Sequence, residues 1–262
     1  MTVIITRAEE DSSEFIEILL EKGIRDYFCF PCLSFSRPED DYLALDEAIR
    51  ENHKFDWLVF LSRKAAESFF ARLLEIGGHF FHLAAHLKIA VIGSRTKEFI
   101  ENEINFPVDF MPDCYNSDAF AKEFLEKCTA NENLLEPLNL LIPRTSIAND
   151  SLLKTLEESK KVKVRQIDAY TTIKPELSLD QVLTLKKIFD NPLNREVKLT
   201  FTSSQCLKNF LEITNPHFSL EQYKDKLTIY SIGPKVTASL ENFLGVGFNI
   251  IQAKKAVLEY LL

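Results

Sequence analysis

Short apolar segments alternate with amphipathic segments along the chain, and the first such unit lies at its start. Residues Val3–Arg7 form a β-branched run that predicts a strand, and Phe15–Leu20 follow as a helix after acidic and serine residues. The same pattern returns at Leu138–Arg144, which is followed by polar residues and a second helical segment. Arg7 and Arg144 therefore occupy the same place in two copies of one unit.

Two further units recur in the same order. The strand predicted at Asp56–Ser62 is repeated at Val197–Ser203, and the strand predicted at Lys88–Gly93 is repeated at Leu227–Gly233. The offsets between the final residues of the three pairs are 137, 141 and 140 residues. Three such similar offsets indicate an internal duplication.

The alternation of strands and helices predicts an α/β fold with parallel sheets and helices on both faces. Ligands of such sheets bind beyond the carboxyl ends of the strands, where all six matched motifs lie. Two extended segments, Tyr27–Phe35 and Val162–Ile173, do not fit the repeated unit. We expect these segments to cross between two domains.

Length, charge and composition disfavour several classes of protein. A length of 262 residues favours two domains, and the formal net charge of −8 disfavours nucleic-acid binding. No apolar run reaches the ~18 residues that a membrane span needs, and the N-terminus lacks the pattern of an export signal, which predicts a cytoplasmic protein. Five scattered cysteines are typical of reduced thiols.

The strand ends are suited to binding an anion. Helix N-termini present backbone N–H groups with partial positive charge, and glycines at strand ends permit close approach of a ligand. Basic side chains next to these ends could add charge-assisted contacts. They are Arg7, Lys64, Arg95, Arg144 and Lys235.

Other patterns are weak. Cys29 and Cys32 have the spacing of a redox or metal pair, but no second pair accompanies them. His79, His82 and His86 have helical spacing without an acidic or cysteine partner. The chain lacks a P-loop and a Gly-x-Gly-x-x-Gly motif, and the serines at the strand ends lack the glycines of a nucleophile elbow. We therefore expect no metal, no organic cofactor and no acyl-enzyme chemistry.

Taken together, the motifs resemble those of the uroporphyrinogen-III synthase family. They are Thr6–Arg7 after the first strand, Phe201–Ser204 at a later strand end, Ile232–Pro234 in a glycine turn, and Ala169–Thr172 around a tyrosine. Their order and spacing extend the resemblance over nearly the whole chain.

The resemblance implies two flavodoxin-like, three-layer domains joined by a two-stranded β-ladder. One domain would comprise residues 1–35 and 173–262, the other residues 36–172, with linker strands near 27–36 and 162–173. The duplication is then interlaced, because the first motif of each copy would fold beside the second and third motifs of the other copy.

The resemblance also implies an activity in porphyrin and haem biosynthesis. The chain would be a cofactor-independent lyase that cyclises hydroxymethylbilane to uroporphyrinogen III in a cleft between the domains, with inversion of ring D and loss of water. It would act as a monomer and contact the preceding pathway enzyme transiently.

The family's motifs place the site residues of this reaction. Tyr170 and Thr96 would be catalytic. The substrate would be bound by Arg7, Ser62, Lys64, Gly93, Ser94, Arg144, Thr202, Ser203, Ser204, Gly233, Lys235 and Thr237.

The chain departs from the family pattern at two turns. Leu61 stands where a threonine is usual, and Val236 occupies the position that Thr96 has in the other copy. Two alternatives stay open: a two-domain module that binds an anion without chemistry, and an inactive synthase-like regulator.

Overall fold

The structure is a computed structural model that describes residues 1–78, 83–129, 136–145, 151–245 and 247–254. The chain divides into two compact units, of which the first is discontinuous in sequence. The first unit comprises Met1–Phe35 and Ile173–Leu262, and the second comprises Ser36–Thr172.

The elements follow the alternation of the sequence. The strands are β1 (Thr2–Ile5), β2 (Tyr27–Cys29), β3 (Ser34–Ser36), β4 (Trp57–Phe60), β5 (Lys88–Val91), β6 (Leu138–Thr145), β7 (Val162–Ile173), β8 (Val197–Phe201), β9 (Leu227–Ser231) and β10 (Asn249–Gln252). The α-helices are α1 (Ser13–Glu21), α2 (Leu43–Arg50), α3 (Arg63–Glu75), α4 (Ser94–Glu98), α5 (Ser117–Cys128), α6 (Ser151–Glu158), α7 (Leu179–Asp190), α8 (Ser204–Thr214) and α9 (Pro234–Leu244).

Each unit contains one five-stranded sheet. The strand order is β2-β1-β8-β9-β10 in the first unit and β7-β6-β4-β5 in the second, with β3 added beyond β7. Strands β1 and β8, β8 and β9, β4 and β5, and β4 and β6 pair in parallel. Beyond β5, an isolated parallel bridge joins Ala90 to Phe110, at the place that β10 takes beyond β9. The strand neighbours are those that the interlaced duplication predicts, and the α/β fold with parallel sheets is confirmed.

The burial of β1 explains why its sequence is apolar throughout. Val3 and Ile5 pack on one face against Phe15 and Leu19 of α1. Ile4 points to the other face and joins a cluster that includes side chains of α7 and α8. A strand covered by helices on both faces has no polar side, and each fully buried side chain contributes about 1.5–3 kcal/mol.

The extended segment Tyr27–Phe35 differs from its prediction as one strand. It divides into β2, which pairs with β1, and β3, which neighbours β7 in the other sheet. The N–H of Phe30 donates to the carbonyl of Ile5, the last residue of β1, and the N–H of Cys32 donates to that of Thr6. Pro31 between them has no N–H group for a ladder. The second extended segment has the predicted bounds of β7.

Two features are absent from the described residues, a disulfide bond and a membrane-spanning helix. Cys29, Cys32, Cys114, Cys128 and Cys206 are all free thiols. Burial raises the pKa of Cys29 and raises that of Cys32 well above its ordinary value, which is the opposite of a reactive redox pair. No helix within the described ranges is both long and apolar enough to cross a membrane.

Candidate functional site

Ser62 and Tyr170 meet at the carboxyl edge of the second unit's sheet. Ser62 ends the loop after β4 and caps α3, because its Oγ accepts a hydrogen bond from the N–H of Ala65 at 3.1 Å. The same Oγ lies 3.4 Å from the phenol oxygen of Tyr170. Tyr170 is only 8% exposed as a residue, and its hydroxyl contacts the serine that begins α3.

An irregularity in strand pairing accompanies this position of Tyr170. Along β6 and β7, Arg144 faces Asp168 and Thr145 faces Tyr170, so the register passes over Ala169. Both Ala169 and Tyr170 are buried. A bulge of this kind redirects a side chain and is common next to active sites.

Arg144 and Asp168 form the polar part of the same edge. Arg144 is 4% exposed and donates from Nη1 to the side-chain oxygen of Gln166 at 3.1 Å. The pKa of Asp168 is raised, chiefly by burial and by the negative charge of Asp40, while the positive charge of Arg144 opposes the rise. Glu39 adds to the rise. At this edge the buried guanidinium of Arg144 therefore lies near Asp168, a carboxyl group whose pKa is raised.

The raised pKa of Asp168 makes a prediction for stability. A carboxyl whose pKa is higher in the folded state binds its proton more tightly there, so wild-type stability falls as pH rises above the unfolded-state value. We expect Asp168→Asn to raise the melting temperature at pH 7 and to have little effect near about pH 3, where both states are protonated.

Asp190→Asn is the matched control, with the opposite sign. Lys186 and Tyr223 lower the pKa of Asp190 by hydrogen bonding, so its carboxylate stabilises the fold at neutral pH, and that stability is lost on acidification. The control should lose stability at pH 7. A melting temperature of Asp168→Asn below wild type at pH 7 would contradict the assignment.

The third motif of the second unit begins α4. Gly93 has extended backbone with φ −162° and ψ 168°, and a Cβ built there would meet the side chain of Tyr115 at 3.6 Å. Ser94 opens the helix and is half-buried, whereas Thr96 is 4% exposed. Lys64 and Arg95 are also half-buried, at the first turns of α3 and α4. The predicted residues of this unit thus lie at strand ends and helix starts, with Thr96 turned towards the interior.

The first unit repeats the serine cap, and among its described residues no tyrosine hydroxyl contacts that serine. Ser203 accepts a hydrogen bond from the N–H of Cys206 at 3.0 Å and so caps α8. Next to it, Thr202 is half-buried, and the hydroxyl of Ser204 lies 2.7 Å from that of Ser239. Arg7, beyond β1, is half-buried and lies 3.9 Å from Asp11.

The third motif of the first unit forms a hydrogen-bonded network. The hydroxyl of Thr237 lies 2.6 Å from that of Ser231 and donates to Oε1 of Gln252 at 3.0 Å or to the carbonyl of Gly233 at 3.2 Å. Val236 is buried, as Thr96 is at the equivalent position. Thr237 therefore joins β9, α9 and β10 to one another, while Lys235 is exposed at the start of α9.

A ligand that suits these edges is an anion with several charged groups. Capped helix starts and cations lie at the carboxyl edge of each sheet, and such starts bind carboxylates through backbone N–H groups. The sequence prediction missed Asp168, which stands two residues before Tyr170, and the neighbouring hydroxyls of Thr145 and Thr172 at 3.4 Å. In the sequence, the closeness of the Asp168 carboxylate to the tyrosine motif could have identified it as a site residue.

Metal ligands do not gather in the part of the chain that the structure describes. No group of three or more His, Cys, Asp or Glu side chains there could hold an ion. His86 contacts the carbonyl oxygen of Phe55 at 3.1 Å. His79 and His82 of the predicted histidine series lie outside the described residues.

Sequence comparison relates nearly the whole chain to one family. Residues 13–261 match the family described as uroporphyrinogen-III synthase HemD. A putative uroporphyrinogen-III synthase of Methanocaldococcus jannaschii is 27% identical over 262 residues, covering 100% of this chain and 96% of the relative. The uroporphyrinogen-III synthase of Synechococcus elongatus is 24% identical, covering 93% and 87%.

Solved structures agree in fold. Uroporphyrinogen-III synthetase from Helicobacter pylori superposes with a TM-score of 0.61 at 20% identity, covering 99% of this chain and 95% of the other. A variant synthase from Thermus thermophilus gives 0.59 at 12% identity, covering 100% and 95%. The chain belongs to the uroporphyrinogen-III synthase family, a family of cyclising lyases of porphyrin and haem biosynthesis.

Proposed function

We propose that this chain converts hydroxymethylbilane into uroporphyrinogen III, with Tyr170 as the proton donor. The observation that supports the role of Tyr170 is the place of its phenol hydroxyl, at the carboxyl edge of a sheet and 3.4 Å from Ser62. Thr96, the other catalytic candidate, is also buried but lies inside the first turn of α4. We therefore assign proton donation to Tyr170 rather than to Thr96.

The reaction balances without a cofactor. The C–O bond of the substrate's hydroxymethyl group breaks, Tyr170 protonates the departing hydroxyl, and water leaves. The resulting azafulvene carbon forms a C–C bond with ring D at the α carbon that carries the bridge to ring C. The C–C bond between that α carbon and the bridge breaks, and the bridge carbon bonds to the other α carbon of ring D, so that ring D is inverted. The tetrapyrrole loses one proton on closure, and that proton restores Tyr170.

Binding is assigned to the strand ends of both units. The substrate has eight carboxylates, and the starts of α3, α4, α8 and α9 offer backbone N–H groups to such anions. In the second unit Lys64 and Arg144 would add charge-assisted contacts, and in the first unit Arg7 and Lys235 would do so. Much of the rate enhancement would come from holding the two ends of the linear tetrapyrrole in one geometry.

The product formed from freshly made hydroxymethylbilane tests the proposal. We expect the type III isomer, and formation of the type I isomer alone at the uncatalysed rate would overturn it. A cytoplasmic location, a monomeric state and a transient contact with the preceding pathway enzyme stay predictions of the sequence.

A further inference from the structure

The hydroxyl of Ser62 makes two contacts that belong to different parts of the second unit. It accepts the hydrogen bond from Ala65 that caps α3, and it lies 3.4 Å from the hydroxyl of Tyr170, which is 108 residues away in sequence. The cap uses a lone pair of the serine oxygen. Its hydrogen and its other lone pair are left for the phenol, and either hydroxyl can donate.

The contact with Ser62 lies at the far end of the Tyr170 ring, at its phenol oxygen. Strands β4 and β7 both neighbour β6, so they are about 10 Å apart at a spacing of ~4.8 Å per strand. The side chain of Tyr170 must therefore extend past the carboxyl end of β6 to reach Ser62, two residues after β4. The bulge at Ala169 is at the near end of this span, and Ser62 is at the far end.

We propose that Ser62 is a positioning residue, which holds the phenol hydroxyl of Tyr170 at the start of α3. This inference rests on the proposed role of Tyr170 as proton donor. Ser62 then has two roles besides its predicted contact with the substrate. It caps α3, and it acts on the reaction through Tyr170.

The duplicated unit shows that capping does not require this second contact. Ser203 caps α8 with the same geometry. The strand that matches β7 in the first unit is β2, and the residues beyond its carboxyl end are Phe30, Pro31 and Cys32. Both copies thus share the serine cap, and the second unit has in addition the contact between Ser62 and Tyr170.

A double-mutant cycle separates positioning from capping. We expect Ser62→Ala to lower kcat about tenfold and to change KM by less than about twofold, since a misplaced catalytic group costs rate more than binding. Ser62→Thr keeps the hydroxyl and should restore most of the loss. In the Tyr170→Phe background, Ser62→Ala should have almost no further effect.

Ser178→Ala is the control for loss of a helix cap. Ser178 caps α7 in a capping box with Gln181, and its described side-chain hydrogen bonds stay within that box, so its variant should keep wild-type kcat. If Ser62→Ala slows the Tyr170→Phe enzyme by the same factor as wild type, Ser62 does not act through Tyr170 and the inference is overturned.

A spectroscopic measurement tests the contact without turnover. In protein labelled with 13C at the tyrosine Cζ, the Tyr170 resonance is assigned by its loss in Tyr170→Phe. We expect Ser62→Ala to shift that resonance and Ser178→Ala to leave it in place. An unshifted resonance overturns the inference, whereas absence of type III product from wild type overturns the proposed function instead.

Discussion

Replacing Tyr170 by phenylalanine is expected to lower kcat roughly 100-fold or more while leaving product affinity largely intact. A positioned proton donor typically contributes a factor of about 10² to 10⁴, and the substitution removes one oxygen from a ring that is 8% exposed. The ring would keep its packing, so the structural change is small. Steady-state kinetics and equilibrium binding of product measure the two effects separately.

Tyr27→Phe provides the matched control for this substitution. Tyr27 lies in β2, is half-buried, and begins its strand at the amino end, away from the carboxyl edge of the sheet. Its variant should turn over at the wild-type rate. Unchanged turnover in Tyr170→Phe would remove the proposed proton donor from the account.

Gly93→Ala is expected to raise KM roughly 10- to 100-fold without loss of stability. The backbone of Gly93 is extended, which any residue can adopt, and the added Cβ would make an ordinary contact of 3.6 Å with Tyr115. The fold itself therefore does not require glycine here. A ligand that approaches the start of α4 would meet the new methyl group, and overpacking of that kind costs about 1–3 kcal/mol.

Gly77→Ala should show the reverse pattern. Gly77 follows α3 with φ +73°, where a side chain is strained by about 1–2 kcal/mol even though the space around it is open. Its variant should melt at a lower temperature and keep the wild-type KM. If Gly93→Ala kept a wild-type KM as well, the close approach of substrate to Gly93 would be refuted.

Local patterns of the sequence predicted most of the fold. Alternation and β-branched residues predicted Val162–Ile173 as a strand, and the structure has those bounds. A hydroxyl at the junction of strand and helix predicted the starts of α3 and α8, where Ser62 and Ser203 act as caps. Each of these features depends only on residues that are close to one another in the sequence, so the sequence alone is enough to predict it.

Features that depend on distant residues could not be predicted. The division of Tyr27–Phe35 depends on the pairing of β2 with β1 and of β3 with β7, which are distant in sequence from one another. The skip at Ala169 is a property of the pairing between β6 and β7. The raised pKa of Asp168 depends chiefly on burial and then on the charge of Asp40, which lies far from it in sequence.

Family membership argues against both alternatives to an active synthase. A module that only binds an anion is not what the family match describes. An inactive synthase-like regulator would be expected to have lost its catalytic groups, yet Tyr170 and the capping serines at positions 62 and 203 are present and ordered at strand ends. Leu61 and Val236 remain departures whose effect on rate the structure does not explain.

The isomer composition of the product tests the central claim most directly. Purified protein is mixed with freshly made hydroxymethylbilane, the cyclic products are oxidised to porphyrins, and the two isomers are separated and quantified against a reaction without protein. The account predicts uroporphyrin III as the main product of the wild-type chain, and a much smaller share of it with Tyr170→Phe. Uroporphyrin I alone, formed no faster than in the absence of protein, would contradict it.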